Sequence, residues 1–217
     1  MSNFIEHCLE RVLALQVRLY ACQARLADCT DTEALHDLRI ALRQLRSLLR
    51  PLRGLQAVDA LEQGAAVLGR LSGPLRDREV LVAELARMGL AHLAPADEAQ
   101  RAAGYAAIAR SRELAELMAL LDGWPANWYE AARQGQLKSV NKRIRRRLQR
   151  QQRQLASALR DPEHDRHRLR LLIKRVRYAA ETYPAQSRLN KAAQIRLKRA
   201  QSALGDWHDH QQWLAQA

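Results

Sequence analysis

Two stretches 131 residues apart carry the same side-chain types in the same order, and both read as helix. In His36-Asp37-Leu38-Arg39-Ile40-Ala41-Leu42-Arg43-Gln44-Leu45-Arg46, continuing to Arg50, steps of three and four residues join His36, Arg39, Arg43, Arg46 and Arg50. On a helix these five groups form one stripe rising about 21 Å. Leu35, Leu38, Leu42, Leu45 and Leu49 form an apolar stripe directly beside it. The second stretch, His167-Arg168-Leu169-Arg170-Leu171-Leu172-Ile173-Lys174-Arg175-Val176-Arg177-Tyr178, sets His167, Arg170, Lys174 and Arg177 against His36, Arg39, Arg43 and Arg46. Leu169, Ile173 and Val176 answer Leu38, Leu42 and Leu45.

A run of Arg is ordinarily the solvated face of an amphipathic helix. Here the face left over (Ile40, Ala41, Gln44, Ser47, Leu48) holds no Lys or Arg, and the cations gather next to the core. That arrangement costs self-repulsion unless an anion lies against it. A merely solvated face also has no reason to keep a His and three cations in register across two copies. The stripes read as functional.

Gly and Pro are sparse, aromatics are few, and Leu, Ala, Arg and Gln dominate, as expected of an all-α protein. Helices are predicted at 3–28 (Val12, Leu15, Leu19, Cys22 and Leu26 inward), from Thr30 to about Arg50 before Pro51, and at 56–72 (Leu61, Ala65, Leu68 inward). The turn Ser72–Asp77 opens a fourth helix to about Met88, and a long helix is predicted from about Ala96 to Leu121. Thr30 with Glu33 reads as a capping box, and Asp161-Pro162 as an N-cap with an N1 proline. Asp122-Gly123-Trp124-Pro125 is expected to break the chain and join the halves, with a short helix over Asn127–Arg133 after it.

In the second half the predicted helices are 136–160, the stripe helix to Pro184, 187–204, and a last one after the turn Leu204–Asp209. The helix at 136–160 carries an apolar stripe (Leu137, Val140, Ile144, Leu148, Leu155, Leu159) among Lys138, Lys142, Arg145, Arg146 and further cations. Each half thus reads as helix, stripe helix, helix, turn with Asp, helix. The expected architecture is two antiparallel four-helix-type bundles, about 1–121 and 126–217, related by an internal pseudo-two-fold repeat. A basic channel or groove is expected between them.

The net charge of +13 is uneven: residues 1–108 hold 13 basic and 13 acidic side chains, and residues 109–217 hold 23 basic against 10 acidic. A polyanionic partner is the first expectation. Cys8, Cys22 and Cys29 lack any C-x-x-C spacing and read as reduced thiols of a cytoplasmic protein. No uncharged apolar run long enough for a membrane span occurs.

The two motifs, His-x-x-Arg-x-x-x-Arg-x-x-Arg and His-x-Leu-Arg-x-x-x-Lys-Arg-x-Arg-Tyr, resemble those of the CHAD family, the conserved-histidine α-helical domains. The turns Ser72–Asp77 and Leu204–Asp209 look like that family's Leu-Gly-x-x-x-Asp elements, with Ser72 in place of the usual Leu. The resemblance spans essentially the whole chain. It implies helical bundles around a basic channel that binds inorganic polyphosphate, and association with polyphosphate granules. Carried over by position, His36, Arg39, Arg43, Arg46, His167, Arg170, Lys174 and Arg177 match the basic motif. Many members are fused to a triphosphatase-type tunnel domain, for which 217 residues leave no room, so the resemblance carries no expectation of hydrolysis.

The chemistry of the residues agrees. Arg forks fit phosphate oxygens bidentately, and Lys acts as a point charge. Single-strand nucleic-acid binders interleave cations with stacking rings, whereas residues 136–177 contain no aromatic at all. Nucleic acid is therefore the alternative partner, and a His-dependent phosphotransfer or a metal site at His164, His167 or Asp206–His210 the further ones. No Gly-rich phosphate loop and no nucleophile with its base is present, so a binding module without cofactor is expected rather than an enzyme. Asp77 and Asp209, paired by the repeat, are expected either to favour a helix start or to orient an Arg or His of the stripe.

Overall fold

The computed structural model describes residues 2–93 and 98–214, with the side chains at 2, 3, 93, 206 and 208–214 excepted. All regular structure among them is helical, as the composition predicts. The helices are α1 (Ser2–Ala27), α2 (Ala34–Leu49), α3 (Gln56–Leu71), α4 (Gly73–Arg87), α5 (Glu98–Ala109), α6 (Arg112–Arg133), α7 (Val140–Ala158), α8 (Arg166–Thr182) and α9 (Lys191–Leu214). Short 3₁₀ turns cover Arg50–Leu52 and Ala91–Leu93. Two compact units result, Met1–Lys138 and Ser139–Ala217.

In the first unit α1, α2, α3 and α6 pack in a closed ring, each against the next, with α5 against α1. The apolar stripes read from the sequence are its core: Val12, Leu15, Leu19, Cys22 and Leu26 of α1 and Leu61, Ala65 and Leu68 of α3 are all buried. Full burial of each such leucine is worth about 1.5–3 kcal/mol. The fourth member of the ring is α6, where α4 was expected. No residue of α4 is buried: it lies against α3 and the following 3₁₀ turn, and touches α5 where Leu75 nears Gly104 and the Tyr105 hydroxyl donates to Glu79.

That exchange follows from two breaks that the sequence signals misplace. The long helix expected to Leu121 stops at Ala109, because the Ser111 hydroxyl accepts from the Leu114 N–H and starts a new helix there. The expected break at Asp122–Pro125 does not occur, and α6 runs through Pro125 to Arg133. Trp124 and Trp128 hold it: both are buried, their rings stack with centroids 4.9 Å apart, and their indole N–H groups donate to Ala57 O and Ile5 O. Two anchored indoles outweigh the one backbone bond that a proline removes, a cost of about 3 kcal/mol. The chain turns instead at Gly135, whose φ of 73° is left-handed.

Both expected helix starts shift as well. Cys29 takes a left-handed φ of 52°, and the Thr30 N–H donates to Arg25 O, closing α1. Thr30 is thereby spent on the end of α1, and no Thr30–Glu33 capping box forms. Asp31 takes its place, accepting from the Glu33 N–H at 2.8 Å, while the Arg25 guanidinium binds Asp31 and Asp37. Arg25 holds Asp31 below the usual carboxylate range. Likewise Asp161 accepts from the Glu163 N–H in a turn, and α8 is capped four residues later by Asp165, which accepts from the Arg168 N–H.

The second unit has three helices among the described residues, α8 packing against both α7 and α9. Leu155, Ile173 and Val176 form its core, covered by Leu169, Leu172, Leu189, Leu197, Ala200 and Leu204. Helix α7 buries Val140, Ile144, Leu148 and Leu155 as expected, but Leu159 is exposed because the helix ends at Ala158. The expected turn at Leu204–Asp209 is absent, and α9 continues through it. In the first half Pro74 follows Gly73 and forces a new start, whereas no proline follows Gly205.

Candidate anion-binding stripes

Helix α2 buries Leu35, Leu38, Leu42, Leu45 and Leu49 almost completely, which rotates the neighbouring stripe to the rim of the core. His36, Arg39, Arg43, Arg46 and Arg50 are accordingly all half-buried rather than solvated. Pro51 ends the helix as expected, and the 3₁₀ turn that follows keeps Arg50 and Arg53 next to Arg46.

Each end of the stripe is held differently. At the N-terminal end Arg39 Nη1 donates to Gly69 O at 2.9 Å and to Ser72 Oγ at 3.2 Å. Ser72 is fully buried, and its hydroxyl in turn donates to Leu68 O. Burial lowers the pKa of Arg39, and Arg76 and Arg43 nearby push the same way, while Asp77 and Glu79 oppose them. Asp77 itself is exposed, lies past the first turn of α4, and acts on Arg39 through space. Arg76, half-buried and paired with Glu79 at 2.8 Å, joins the cationic cluster from α4.

At the C-terminal end one carboxylate meets three guanidinium groups. Glu62 of α3 is 2 % exposed, and its Oε1 accepts from Arg46 Nε and Arg50 Nε, each at 3.3 Å. Its Oε2 accepts from Arg53 Nε at 2.9 Å and from Arg53 Nη2. Three positive charges over one negative leave this end cationic, with the carboxylate beneath and the guanidinium groups above.

In the second unit α8 presents His167 exposed, and Arg170, Lys174 and Arg177 half-buried. Arg177 Nε donates to Gln201 Oε1 at 2.8 Å and its Nη1 to Glu181 Oε1 at 2.6 Å, with the guanidinium 4.3 Å over the Tyr178 ring. Where Arg46 of α2 rests on a buried carboxylate, the equivalent Arg177 of α8 is shared between a neutral amide and the exposed Glu181. Lys138 precedes α7 in a turn, and Lys138, Lys142, Arg145 and Arg146 are all exposed. They are a solvated basic face, in contrast to the two stripes. Arg143 and Arg147 of the same helix are half-buried.

This is a basic, half-buried, helix-borne stripe occurring once in each unit, and a family model of the CHAD domain matches residues 11–217. The chain belongs to the CHAD family. A crystal structure of the CHAD domain from the plant Ricinus communis is similar in fold, with a TM-score of 0.69 and 24% identity over 94% of this chain and 74% of that one. No curated protein matches.

Within this CHAD domain, sequence reasoning missed Glu62 and Arg76, left Arg53 out of the stripe on account of Pro51, and noted Ser72 only as a departure from the usual Leu of its turn. Glu62 sits on the inward face of α3 beside Leu61 and Ala65, and a Glu at a core position is the signal that would have found it. Arg53 lies two residues past the proline that ends α2, and Arg76 belongs to the Asp77 turn. Of the candidate metal donors, His164 Nδ1 faces Asp161 at 3.8 Å, and His167 is exposed. The side chains of Asp206, His208, Asp209 and His210 lie outside those described, so the expected role of Asp209 does too. Among the described residues no three His, Cys, Asp or Glu side chains converge as a metal ion requires, and no helix is long and apolar enough to cross a membrane.

Proposed function

We propose that this CHAD domain is a non-enzymatic binding module for inorganic polyphosphate. The observation that carries it is the half-buried stripe of α2, where His36, Arg39, Arg43, Arg46 and Arg50 stand in a row along one helix edge. Polyphosphate presents one negative charge on nearly every unit and no bases. A row of guanidinium groups fixed at the rim of a core matches it by charge-assisted, forked hydrogen bonds. The α8 stripe of His167, Arg170, Lys174 and Arg177 supplies the same order of groups. Lys138, Lys142, Arg145 and Arg146, being exposed, add salt-sensitive attraction for any polyanion. Association with polyphosphate granules follows from the same binding.

The test is a titration of the purified chain with long-chain polyphosphate and with single-stranded DNA of matched charge, each at two salt concentrations. Tighter binding of polyphosphate at both is expected, with affinity falling steeply as salt rises. Equal affinities would make the chain a general polyanion binder and favour the nucleic-acid alternative. Intact-mass measurement under alkaline conditions, after incubation with polyphosphate, should show unmodified protein. A stable gain of one phosphate, lost in His36→Gln with His167→Gln, would make it a phosphotransfer protein instead.

A further inference from the structure

We infer that Glu62 is a positioning residue for anion binding, a buried carboxylate that fixes Arg46, Arg50 and Arg53 from below so that they meet a phosphate chain already arranged. The inference rests on the polyphosphate-binding reading and assigns a part of that site to a residue of the wrong charge to touch the ligand. Glu62 is 2 % exposed, so it lies beneath the cations and out of a ligand's reach. It is also shared: Oε1 takes the Nε–H groups of Arg46 and Arg50, and Oε2 takes Arg53. Binding through Nε fixes the plane of a guanidinium group and aims its outer edge away from the carboxylate.

Two physical consequences follow, and they have opposite signs. By Coulomb's law alone, an acidic group under an anion site weakens binding, and neutralising it should tighten polyphosphate binding about threefold. By preorganisation, three long side chains that are already immobilised lose no further rotamer freedom when the anion arrives. Each such side chain otherwise costs about 0.5–1.5 kcal/mol to immobilise. The three-to-one stoichiometry favours the second effect, because one negative charge orders three cations and still leaves a positive surplus. The end of α2 and the 3₁₀ turn at Arg50–Leu52 bring the backbones of Arg46, Arg50 and Arg53 close together, and Glu62 is the shared acceptor that fixes their long side chains.

Glu62→Gln decides between them in the full chain, with inorganic polyphosphate as the probe. Positioning predicts binding about fivefold weaker than wild type although the net charge has risen, with no loss of slope against salt, since no cation has been removed. Tighter binding would overturn it and leave Glu62 as an unfavourable charge only. Glu62→Asp covers the case in which the Gln variant fails to fold. It keeps the charge and withdraws the carboxylate by one methylene, so positioning predicts weaker binding, and unchanged affinity would overturn the inference. Nitrogen-15 spectra of the arginine Nε–H groups, recorded without any ligand, separate this from the function itself. Exchange-protected Nε–H signals of Arg46, Arg50 and Arg53 that vanish in Glu62→Gln support positioning even if wild type prefers no polyphosphate. Signals that exchange equally fast in both proteins overturn it.

Discussion

Arg39 and Arg46 lie about two turns apart on α2 and are held by opposite means. Arg46 shares a carboxylate, whereas Arg39 is bound by the Gly69 carbonyl and the Ser72 hydroxyl, both neutral. A guanidinium group held by neutral acceptors keeps its whole charge for a ligand. Ser72→Ala removes one of those acceptors at a fully buried position. The expected cost is about 1–2 kcal/mol of stability, read by denaturant unfolding, and about a threefold loss of polyphosphate affinity. A stability loss with unchanged affinity would mean that the Gly69 carbonyl suffices to place Arg39. These contacts also show what a sequence conveys at this scale. The cations themselves were legible, because steps of three and four residues project onto one helix edge. Their partners Glu62 and Ser72 were not, since they lie on α3 and just beyond it, and which residues face α2 depends on how the helices pack.

At the scale of elements, apolar periodicity located the helices well, and the punctuation between them less well. Pro125 looks like a helix breaker, yet α6 passes through it because Trp124 and Trp128 are anchored in the core. Ser111, an ordinary-looking residue in a helical run, supplies the real break through its cap. In both places tertiary burial or a single side-chain bond outweighs the local signal, and neither is visible in the residue type alone. If the indoles alone hold α6 together, the proline is a cost that the fold tolerates. Pro125→Ala restores a backbone donor toward Leu121 and should raise stability by about 1–3 kcal/mol, measured by thermal or denaturant unfolding. A decrease would show instead that the proline shapes the path between the two tryptophans.

At the scale of the whole molecule, net charge is a poor guide to where an anion binds. Residues 1–108 are neutral overall, but four of their 13 acidic groups pair away from the stripe: Asp31 and Asp37 on Arg25, Glu84 on Arg87, Glu98 on Arg101. The α2 stripe is therefore locally cationic inside a neutral half, and the surplus of the second half lies partly on the exposed face of α7. Three double variants change the net charge by the same amount: Arg39→Glu with Arg43→Glu, Arg170→Glu with Lys174→Glu, and Arg145→Glu with Arg146→Glu. If half-buried stripes hold the polymer, each of the first two should lower polyphosphate affinity by about a hundredfold or more, because each removes two charge-assisted contacts and adds repulsion. The α7 pair, whose side chains are solvated, should lose about tenfold and recover most of that difference in high salt. Circular dichroism confirms that each variant keeps its helices before affinities are compared. Equal losses in all three would mean that the chain attracts polyanions by total charge, with no role for the stripes. A loss confined to the variants of α7 and α8 would leave the neutral first half without a share in binding, and would refute the assignment of His36 through Arg50.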